Sequence, residues 1–314
     1  MRKIKVNYGR KDYINLEIPE ENLIGIYSPP DIHKPSINEE KEIESALCNP
    51  IGSRPLTELA KGKKNAIIAI TDASRPNVEK KVLPLIVKHL ELAGLEKKDI
   101  KIIFGGGAHR LPYKNEIKEK IGSLLKDKVQ VIFHEAYKSE IKNYGMTSYG
   151  YPIEINRIFA ESDLKIVVGT VFPHPFAGFS GGGKMISVGI ASKSAISATH
   201  TTKMIDHPDT GWGIIEKNPF YLSAAEQADT VGVDFLVNAV LDENEQLLHI
   251  SAGKTKEAHL NCINQCKEFF KVNIPEKADI AIVSVGYPKD ANLFHTSAMG
   301  ICAVAGSGVK YPFI

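Results

Sequence analysis

Short apolar, β-branched runs alternate with amphipathic stretches along most of the chain. The apolar runs are typical of buried strands, and the stretches between them have the 3.6-residue periodicity of helices. Strands are predicted at 65–70, 99–104, 129–133, 164–168, 233–240 and 246–251, and helices at 78–95, 115–125, 219–228 and 254–270. Because strand, loop and helix follow one another repeatedly, the pattern predicts an α/β fold with a mostly parallel, open sheet.

The two ends of the chain have patterns of their own. Residues 1–28 alternate apolar and polar positions, which predicts a small antiparallel start. Residues 273–277 resemble a linker, followed by an expected strand at 279–285 and a helix at 292–305. We therefore predict a catalytic, cofactor-binding α/β domain over 1–273. Residues 274–314 are expected to begin a second, incomplete α/β domain.

Charge and composition exclude several classes of protein. The 314 residues include 39 Lys and Arg against 37 Asp and Glu, a net charge of +2. No basic patch is interleaved with aromatic residues, so neither a nucleic-acid nor a membrane partner is expected. The N-terminus has no apolar signal segment, and no run approaches the roughly 20 apolar residues of a membrane helix. A cytoplasmic protein is expected.

Four cysteines are too few for a disulfide scaffold. Cys262 and Cys266 lie one helical turn apart and could in principle bind a metal ion. A full metal site would need more ligands with suitable spacing, so ordinary half-buried cysteines are favoured.

Polar side chains follow three of the predicted strands directly. Asp72 and Arg75 come after the first, His109 after the second, and His174 after the run at 164–168. In open parallel sheets, ligands bind beyond the carboxyl ends of the strands, so these groups should converge on one cleft. Arg75 could clamp a carboxylate or form a structural pair with Asp72.

The histidines allow more than one interpretation. His109, in a glycine-rich loop, is a candidate acid or base but could simply be exposed. His174 lies between two prolines, which restrict where its ring points. His200 could be a metal ligand or a helix-end residue. The remaining histidines are expected mostly at the surface, among them His89, His134 and His259.

A glycine-rich loop links His174 to His200. Gly178–Lys184 has the G-x-x-x-x-G-K spacing of a P-loop, but Met185 stands where a P-loop has Ser or Thr. An unrelated phosphate- or cofactor-binding loop is therefore favoured over a nucleotide triphosphatase. Lys184 could cap a phosphate, anchor a cofactor covalently or point at solvent. The candidate cofactor-binding residues are Ser180, Gly181, Gly182, Gly183 and Lys184.

Several of these segments, in this order, resemble the nickel-dependent lactate racemase family. The matching motifs are T-D-A-S-R-P at 71–76, G-G-A-H-R at 106–110, T-S-Y-G-Y-P-I-E-I-N-R at 147–157, P-H-P-F-A-G-F-S-G-G-G-K at 173–184, and G-Y-P-K-D-A-N-L at 286–293. The central element, around the glycine-rich loop, is highly specific. The resemblance covers almost the whole chain.

The resemblance implies a cofactor and residue roles. The family uses a nickel-pincer nucleotide, a pyridinium mononucleotide whose thioamide and thiocarboxylate arms bind nickel. By resemblance, Lys184 would carry this cofactor and His200 would supply a nickel ligand. His109 and His174 would be the two acid/base residues, and Arg75, supported by Asp72, would hold the carboxylate of a 2-hydroxy acid. Cofactor-biosynthesis enzymes are implied partners.

The implied reaction is racemisation or epimerisation by reversible hydride transfer at C2 of a small-molecule substrate. Two departures bear on which substrate is used. Lactate-specific members carry Tyr-Gln and then a lysine where this chain has Phe294-His295 and then Ala298. His295 is therefore a candidate substrate-binding residue, and lactate or a related 2-hydroxy acid is expected. The alternatives are a non-catalytic relative that binds the nickel cofactor and, less favoured, a phosphate-loop nucleotide-binding protein.

Overall fold

The fold is described from a computed structural model, which describes residues 1–9, 12–28, 38–122, 124, 129–242, 244–273, 278–285, 293 and 300. The chain divides into two units. One comprises residues 1–32 and 269–314, and the other comprises residues 33–268. The candidate site residues that the structure describes all lie in the second unit. His295 lies outside the described residues.

A six-stranded sheet organises the larger unit, in the order β12-β11-β8-β3-β4-β5. Its strands are β3 (Ala66–Thr71), β4 (Ile100–Gly105), β5 (Gln130–Phe133), β8 (Leu164–Thr170), β11 (Phe235–Leu241) and β12 (Leu247–Gly253). Five of them are parallel, and β12 pairs antiparallel with β11. The mostly parallel open sheet predicted from the alternating pattern is therefore confirmed.

Helices and loops cover both faces of this sheet because alternate side chains of each buried strand point to opposite sides. On β3, Ile68 and Ile70 pack in one core, whereas Ile67 and Ala69 pack in the other. The first core includes side chains from α1 to α4, and the second includes side chains from α5, α6, α8 and α9. The helices are α1 (Glu39–Cys48), α2 (Leu56–Ala60), α3 (Glu79–Leu92), α4 (Lys114–Ile121), α5 (Arg157–Ala160), α6 (Lys193–Thr199), α7 (Thr202–Ile205), α8 (Pro219–Val231) and α9 (Thr255–Phe270).

Three two-stranded pairs complete the described structure. In the smaller unit, β1 (Arg2–Tyr8) and β2 (Asp12–Ile18) form the antiparallel start predicted from alternation. In the larger unit, β6 (Ile141–Met146) pairs with β7 (Pro152–Asn156), and β9 (Pro173–His174) pairs with β10 (Gly178–Phe179). A five-residue π-helix, Met185–Gly189, follows the glycine-rich loop. No helix in the described part of the chain combines the length and apolar character needed to cross a membrane.

The structure corrects some expectations. Residues 279–285 form no strand, although their apolar alternation predicted one, and Ile280 and Ile282 are exposed. A strand requires a hydrogen-bonded neighbour, and sequence alternation cannot supply one. The helix expected at 292–305 falls almost entirely outside the described residues. The domain boundary at 273–274 stays a prediction.

Candidate active site

Three neighbouring strands of the sheet carry the candidate polar groups at their carboxyl ends. Asp72 and Arg75 follow β3, His109 follows β4, and His174 follows β8, which flanks β3 on its other side. From β3 the chain proceeds to β4 and β5 on one side and later to β8 and β11 on the other. The strand order therefore reverses at β3, which is where open α/β sheets form their ligand-binding crevice.

We call the first group of side chains the carboxylate corner, formed by Asp72, Arg75 and His109. The Asp72 Oδ2 atom lies 3.1 Å from His109 Nδ1. Asp72 Oδ1 accepts hydrogen bonds from both the backbone N–H and the hydroxyl of Ser74. Burial would raise the pKa of Asp72, but hydrogen bonds from His109 and Ser74 and the charge of Arg75 outweigh it, so the pKa lies well below its usual value.

An ionised Asp72 can only accept a hydrogen bond, so His109 Nδ1 must carry a proton. The neutral His109 ring then has its lone pair on Nε2, the atom that can receive a proton from a ligand. The His109 side chain is 44% exposed and the Asp72 side chain 13%. The structure thus brings together two residues that the sequence placed after different strands.

Arg75 is exposed on the same turn as Asp72. Its backbone N–H donates to the Asp72 carbonyl, 3.2 Å away. Among the described residues, none forms a hydrogen bond or ion pair with its guanidinium group, so the structural Asp72–Arg75 pair considered from the sequence is not formed. By contrast, Arg110 on the next loop forms two hydrogen bonds to Glu116, at 2.6 and 2.8 Å. Arg75 is therefore the arginine at this edge whose charged fork can meet an anion.

His174 is held differently. Its Nδ1 atom accepts the backbone N–H groups of Phe176, 3.1 Å away, and Ala177, 3.2 Å away. Because backbone N–H groups only donate, the neutral His174 ring must carry its proton on Nε2. The two candidate acid/base histidines are therefore in opposite tautomers. His109 offers a lone pair at Nε2, whereas His174 offers an N–H there.

A second group of side chains, which we call the lysine corner, contains Lys184, His200 and Phe220. The Lys184 ammonium nitrogen lies 5.8 Å from the centre of the Phe220 ring. In the described part of the chain, no hydrogen-bonding or acidic partner meets this nitrogen. Burial, and secondarily the charge of Arg75, lowers the pKa of Lys184 to about 7. A neutral amine is therefore accessible near physiological pH.

His200 contacts the same aromatic ring edge-on, with ring centres 5.4 Å apart. It caps α6, and its Nδ1 lies 2.9 Å from the Ile196 carbonyl oxygen. Since that oxygen only accepts, Nδ1 carries the proton and Nε2 keeps a lone pair. Burial lowers the pKa of His200, the Ile196 carbonyl opposes this, and the charges of Lys184 and Lys193 reinforce it. These features suit a neutral imidazole ligand.

Two buried residues hold the glycine-rich loop from beneath. Asn238, on β11, accepts the Gly182 N–H at 2.9 Å, and the His259 Nε2 on α9 lies 2.8 Å from the Ser180 carbonyl oxygen. A side chain at Gly182, where φ is +53°, would lie 2.1 Å from His259 Nδ1. One at Gly183 would lie 2.1 Å from the Ala224 carbonyl oxygen. The glycines are thus required by close packing against the protein itself.

This packing limits what the loop can offer to a ligand. The Gly182 N–H is already bonded, and the Ser180 hydroxyl donates to the Thr170 carbonyl at 2.8 Å. Whether Ser180, Gly181, Gly182 and Gly183 contact a cofactor stays a prediction. The structure shows that the loop ends at Lys184 and that the side chain of this lysine lies near the Phe220 ring.

Asn238 and His259 were missed as site-supporting residues, and His259, His89 and His134 were wrongly expected at the surface; all four side chains are buried. Two signals could have revealed them. Asn238 interrupts an otherwise apolar strand, F-L-V-N-A-V-L. His259 lies on the same helical face as the buried Cys262 and Cys266. Burial lowers the pKa of His259 to about 4, so the ring stays neutral.

Among the described cysteines, Cys262 and Cys266 are not arranged as a metal site. Cys262 and Cys266 are fully buried rather than half-buried, and their thiols lie near the carbonyls of Asn238 and Val171. Burial raises the pKa of both thiols to about 12. Cys48 lies near Glu44 and His89, but the Glu44 carboxylate is already bonded to His89 and to Lys88, each at 2.6 Å.

Comparison with known proteins decides the family. The family model for the lactate racemase N-terminal domain matches residues 8–213. Lactate racemase from Thermoanaerobacterium thermosaccharolyticum is 34% identical over 94% of this chain and 70% of its own length. Lactate racemase from Lactiplantibacillus plantarum is 32% identical over 94% of this chain and 69% of its own length. The chain belongs to the lactate racemase family.

One solved structure agrees with this assignment, and a second shares the fold alone. The lactate racemase apoprotein from T. thermosaccharolyticum superposes with a TM-score of 0.87 at 33% identity, over 96% of this chain and 72% of that one. A protein from Thermotoga maritima, at 20% identity and a TM-score of 0.61, shares the fold over 78% of this chain and 60% of its own. Racemases are isomerases, so this is a family of isomerases. The chain spans about 70% of the length of these lactate racemases.

The family model covers the carboxylate corner and, in the lysine corner, Lys184 and His200, because residues 8–213 include every described candidate site residue from Asp72 to His200. The lysine corner also fits the nickel cofactor implied for the family. Lys184 provides an amine without a carboxylate partner in the described chain, and His200 keeps a lone pair at Nε2. An amine that can be neutral and an oriented neutral imidazole form a donor set suited to covalent attachment and to nickel binding.

Proposed function

We propose that the chain is a racemase or epimerase of a 2-hydroxy acid, either lactate or a related acid. One observation carries this proposal. Asp72 orients His109 as a proton acceptor, and on the same turn Arg75 extends a guanidinium group that no described residue pairs. A base and a carboxylate-binding cation side by side are what a 2-hydroxy acid requires, since its hydroxyl and carboxylate lie on adjacent carbons.

Arg75 binds the substrate carboxylate through two parallel hydrogen bonds. Its position on the turn that also carries Asp72 places the carboxylate beside His109. The hydroxyl group at C2 then lies within reach of the His109 Nε2 lone pair. Asp72 keeps that lone pair available by holding the proton on Nδ1, and it stabilises the imidazolium once the proton has transferred.

His174 complements His109. With the tautomers that these hydrogen bonds imply, His109 accepts the hydroxyl proton while His174 carries its own proton on Nε2. The opposite enantiomer presents its hydroxyl to the other histidine. For His174 to act as the base, its Nε2 must give up its proton and its Nδ1 must take one. The hydrogen bonds that Nδ1 accepts from Phe176 and Ala177 must then break. We therefore propose unequal roles for the two histidines at the start of a turnover.

Lys184 and His200 would hold the cofactor, Lys184 through a thioamide linkage and His200 as a nickel ligand through Nε2. When bound, the nickel-pincer nucleotide supplies reversible hydride acceptance at C2 of the substrate. Phe220, whose ring lies near both side chains, contributes to the burial of this corner. Loading would depend on the enzymes that make the cofactor, which we propose as partners in the cytoplasm.

The geometry does not favour the nucleotide-binding alternative. A P-loop directs several backbone N–H groups at phosphate and opens a helix, whereas here the Gly182 N–H is bonded to Asn238 and a single π-helical turn follows Lys184. A non-catalytic cofactor-binding relative would have no use for the Asp72–His109 arrangement. That arrangement supports a catalytic function.

The test combines mass, metal and isotope measurements on the protein purified anaerobically from a host that makes the cofactor. We expect a mass increment on the Lys184 peptide and about one nickel per chain, as one anchor and one imidazole predict. A 2-hydroxy acid deuterated at C2, beginning with lactate, should racemise with the label retained at C2. Removal of C2 hydrogen as a proton would instead exchange the label with solvent.

The His109→Gln variant is the matched control. It should keep the mass increment and the nickel but lose racemisation. Increment and nickel without racemisation of any 2-hydroxy acid tested would favour the non-catalytic relative. Absence of increment, nickel and racemisation, in a host shown to make the cofactor, would contradict the proposal.

A further inference from the structure

A buried ion pair lies directly behind the carboxylate corner. Lys120 Nζ is 2.7 Å from Glu79 Oε2, and the two side chains are 3% and 0% exposed. Glu79 begins α3, and Lys120 stands one residue before the end of α4. Each charge thus lies at the helix end whose dipole favours it.

The remaining hydrogen bonds of this pair go to both ends of one turn. Glu79 Oε1 accepts the backbone N–H of Thr71, 3.1 Å away, and also the Thr71 hydroxyl. Lys120 donates to the Thr71 hydroxyl oxygen at 3.0 Å and to the Pro76 carbonyl oxygen at 3.3 Å. Residues 71 and 76 flank the turn that carries Asp72 and Arg75.

The pair is fully satisfied by these contacts. Lys120 has three N–H donors, and they meet Glu79, Thr71 and Pro76. Removing two charges from water is costly, and apolar side chains often replace buried ion pairs without loss of stability. The additional hydrogen bonds of Glu79 and Lys120 all go to residues 71 and 76. We therefore attribute the buried ion pair to the need to hold the turn between these two residues.

We propose that the Glu79–Lys120 pair is a positioning device that holds the Asp72–Arg75 turn in the geometry that binds the substrate carboxylate. Both residues act through Thr71 and Pro76 and do not touch the substrate. Arg75 extends from the turn without a described partner, so the direction of its side chain depends on how firmly the turn is held. The inference rests on the proposed function for one point, namely that the ligand of Arg75 is a 2-hydroxy acid.

The test replaces the pair with apolar residues of similar size, in the double variant Glu79→Leu/Lys120→Met. The protein should remain folded, because no unpaired charge is left in the core. Without the four ties to the turn, KM for the 2-hydroxy acid should rise about tenfold or more, while kcat stays within about twofold and nickel content is unchanged. Lys81→Gln, on the same helix but in a partly exposed pair with Glu39, should change neither parameter.

A gentler pair of variants covers the case in which the double variant fails to fold. Thr71→Val keeps the shape of the side chain but removes the hydroxyl that joins Glu79 to Lys120. It should raise KM severalfold, and Thr71→Ser, which retains the hydroxyl, should restore it. A purely structural contribution would lower the melting temperature without separating KM from kcat.

Hydrogen exchange on the apoprotein separates this inference from the proposed function. The amides of residues 72–75 and 77 should exchange faster in Thr71→Val and in the double variant than in the wild type or in Lys81→Gln. If the wild type racemises no 2-hydroxy acid, the proposed function fails, but exchange still decides whether the pair holds the turn. Unchanged exchange together with unchanged KM in folded variants would overturn the inference.

Discussion

The carboxylate corner and the lysine corner lie at the same sheet edge but treat charge in opposite ways. In the carboxylate corner, Asp72 is kept ionised, with its pKa well below the usual value, because partially buried oxygens are met by hydrogen-bond donors. In the lysine corner, burial without a described acidic partner lowers the pKa of Lys184 to about 7. The carboxylate corner thus favours the charged form of its acid, whereas the lysine corner favours the neutral form of its amine.

The difference in pKa shifts between the two corners indicates which chemical task each corner can perform. Binding a carboxylate and accepting a proton need fixed charges and an oriented base. Forming a covalent link through an amine and coordinating a metal through imidazole need neutral nitrogen lone pairs. Both corners lie in the same unit of the chain, and a single loop connects His174 to Lys184. The difference between the pKa shifts of Asp72 and Lys184 therefore arises from local packing.

The largest expected effect comes from removing the reactive amine. Lys184→Arg keeps a long cationic side chain, but a guanidinium group stays protonated and cannot form the linkage. Mass increment, nickel and racemisation should all be lost, with a rate decrease of at least about 1,000-fold. Intact mass, metal analysis and activity measure this together. Lys193→Arg, nine residues away on α6, should retain all three, and equal losses in both variants would contradict the assignment.

Removing the charge from the other corner should separate catalysis from cofactor binding. Asp72→Asn leaves the size of the side chain unchanged but no longer fixes the proton on His109 Nδ1, so kcat should fall by about 100- to 10,000-fold. Nickel content and the mass increment should remain those of the wild type. Ser74→Ala, which removes one donor to Asp72, should have a much smaller effect. Loss of nickel in Asp72→Asn would mean that the two corners are not independent.

The contrast can also be reversed by placing an acid in the lysine corner. Phe220→Glu should raise the pKa of Lys184, because an opposite charge favours the ammonium form. In the apoprotein, acylation of Lys184 by an amine-reactive reagent at about pH 6, below both pKa values, should slow by about tenfold, as a one-unit rise in pKa predicts. Phe220→Gln, equal in size and uncharged, is the matched control. Labelling is read by peptide mass spectrometry. Equal labelling rates in the two folded variants would show that a negative charge at position 220 does not change the pKa of Lys184.

Much of this contrast was predictable from the sequence. The apolar runs at β3, β4 and β8 predicted parallel strands, which the structure confirms. Of the polar residues after them, Asp72 and His109 meet as expected, whereas their convergence with His174 stays a prediction. The β6–β7 hairpin was missed because β6 shows little apolar alternation, with only Ile141 and Tyr144 partly buried. On β7, by contrast, Ile153 and Ile155 alternate with polar residues and are buried. The periodicity of apolar residues reports burial, and the mostly exposed strand β6 has little of it.

The supporting residues were harder to foresee. Glu79 and Lys120 lie on helices, where charged residues are normally exposed, and their pairing across 41 positions is set by tertiary packing alone. The opposite tautomers of His109 and His174 depend on which atoms surround each ring, which no spacing rule encodes. The sequence therefore predicts the reactive groups, whereas the structure shows what orients these side chains.

The smallest expected effect concerns His259, which stays neutral beneath the lysine corner. Its pKa is about 4 in the folded protein, against about 6.5 when unfolded. Above pH 6.5 the ring is neutral in both states, so stability should not depend on it. As pH falls from 6.5 towards 4, the unfolded chain binds the proton first, and stability should decline, by about 2 kcal/mol between pH 7 and pH 5.

Urea denaturation of the apoprotein at pH 7 and pH 5 measures this decline. His259→Gln is the matched control, because a glutamine amide can donate to the Ser180 carbonyl as His259 does but does not titrate. The variant should therefore lose less stability than the wild type over the same interval. Any decline that remains would come from other titrating groups such as His134, whose pKa burial also lowers. Identical pH dependence in the two proteins would show that His259 accepts a proton in place, and the lysine corner would then tolerate a second positive charge next to Lys184.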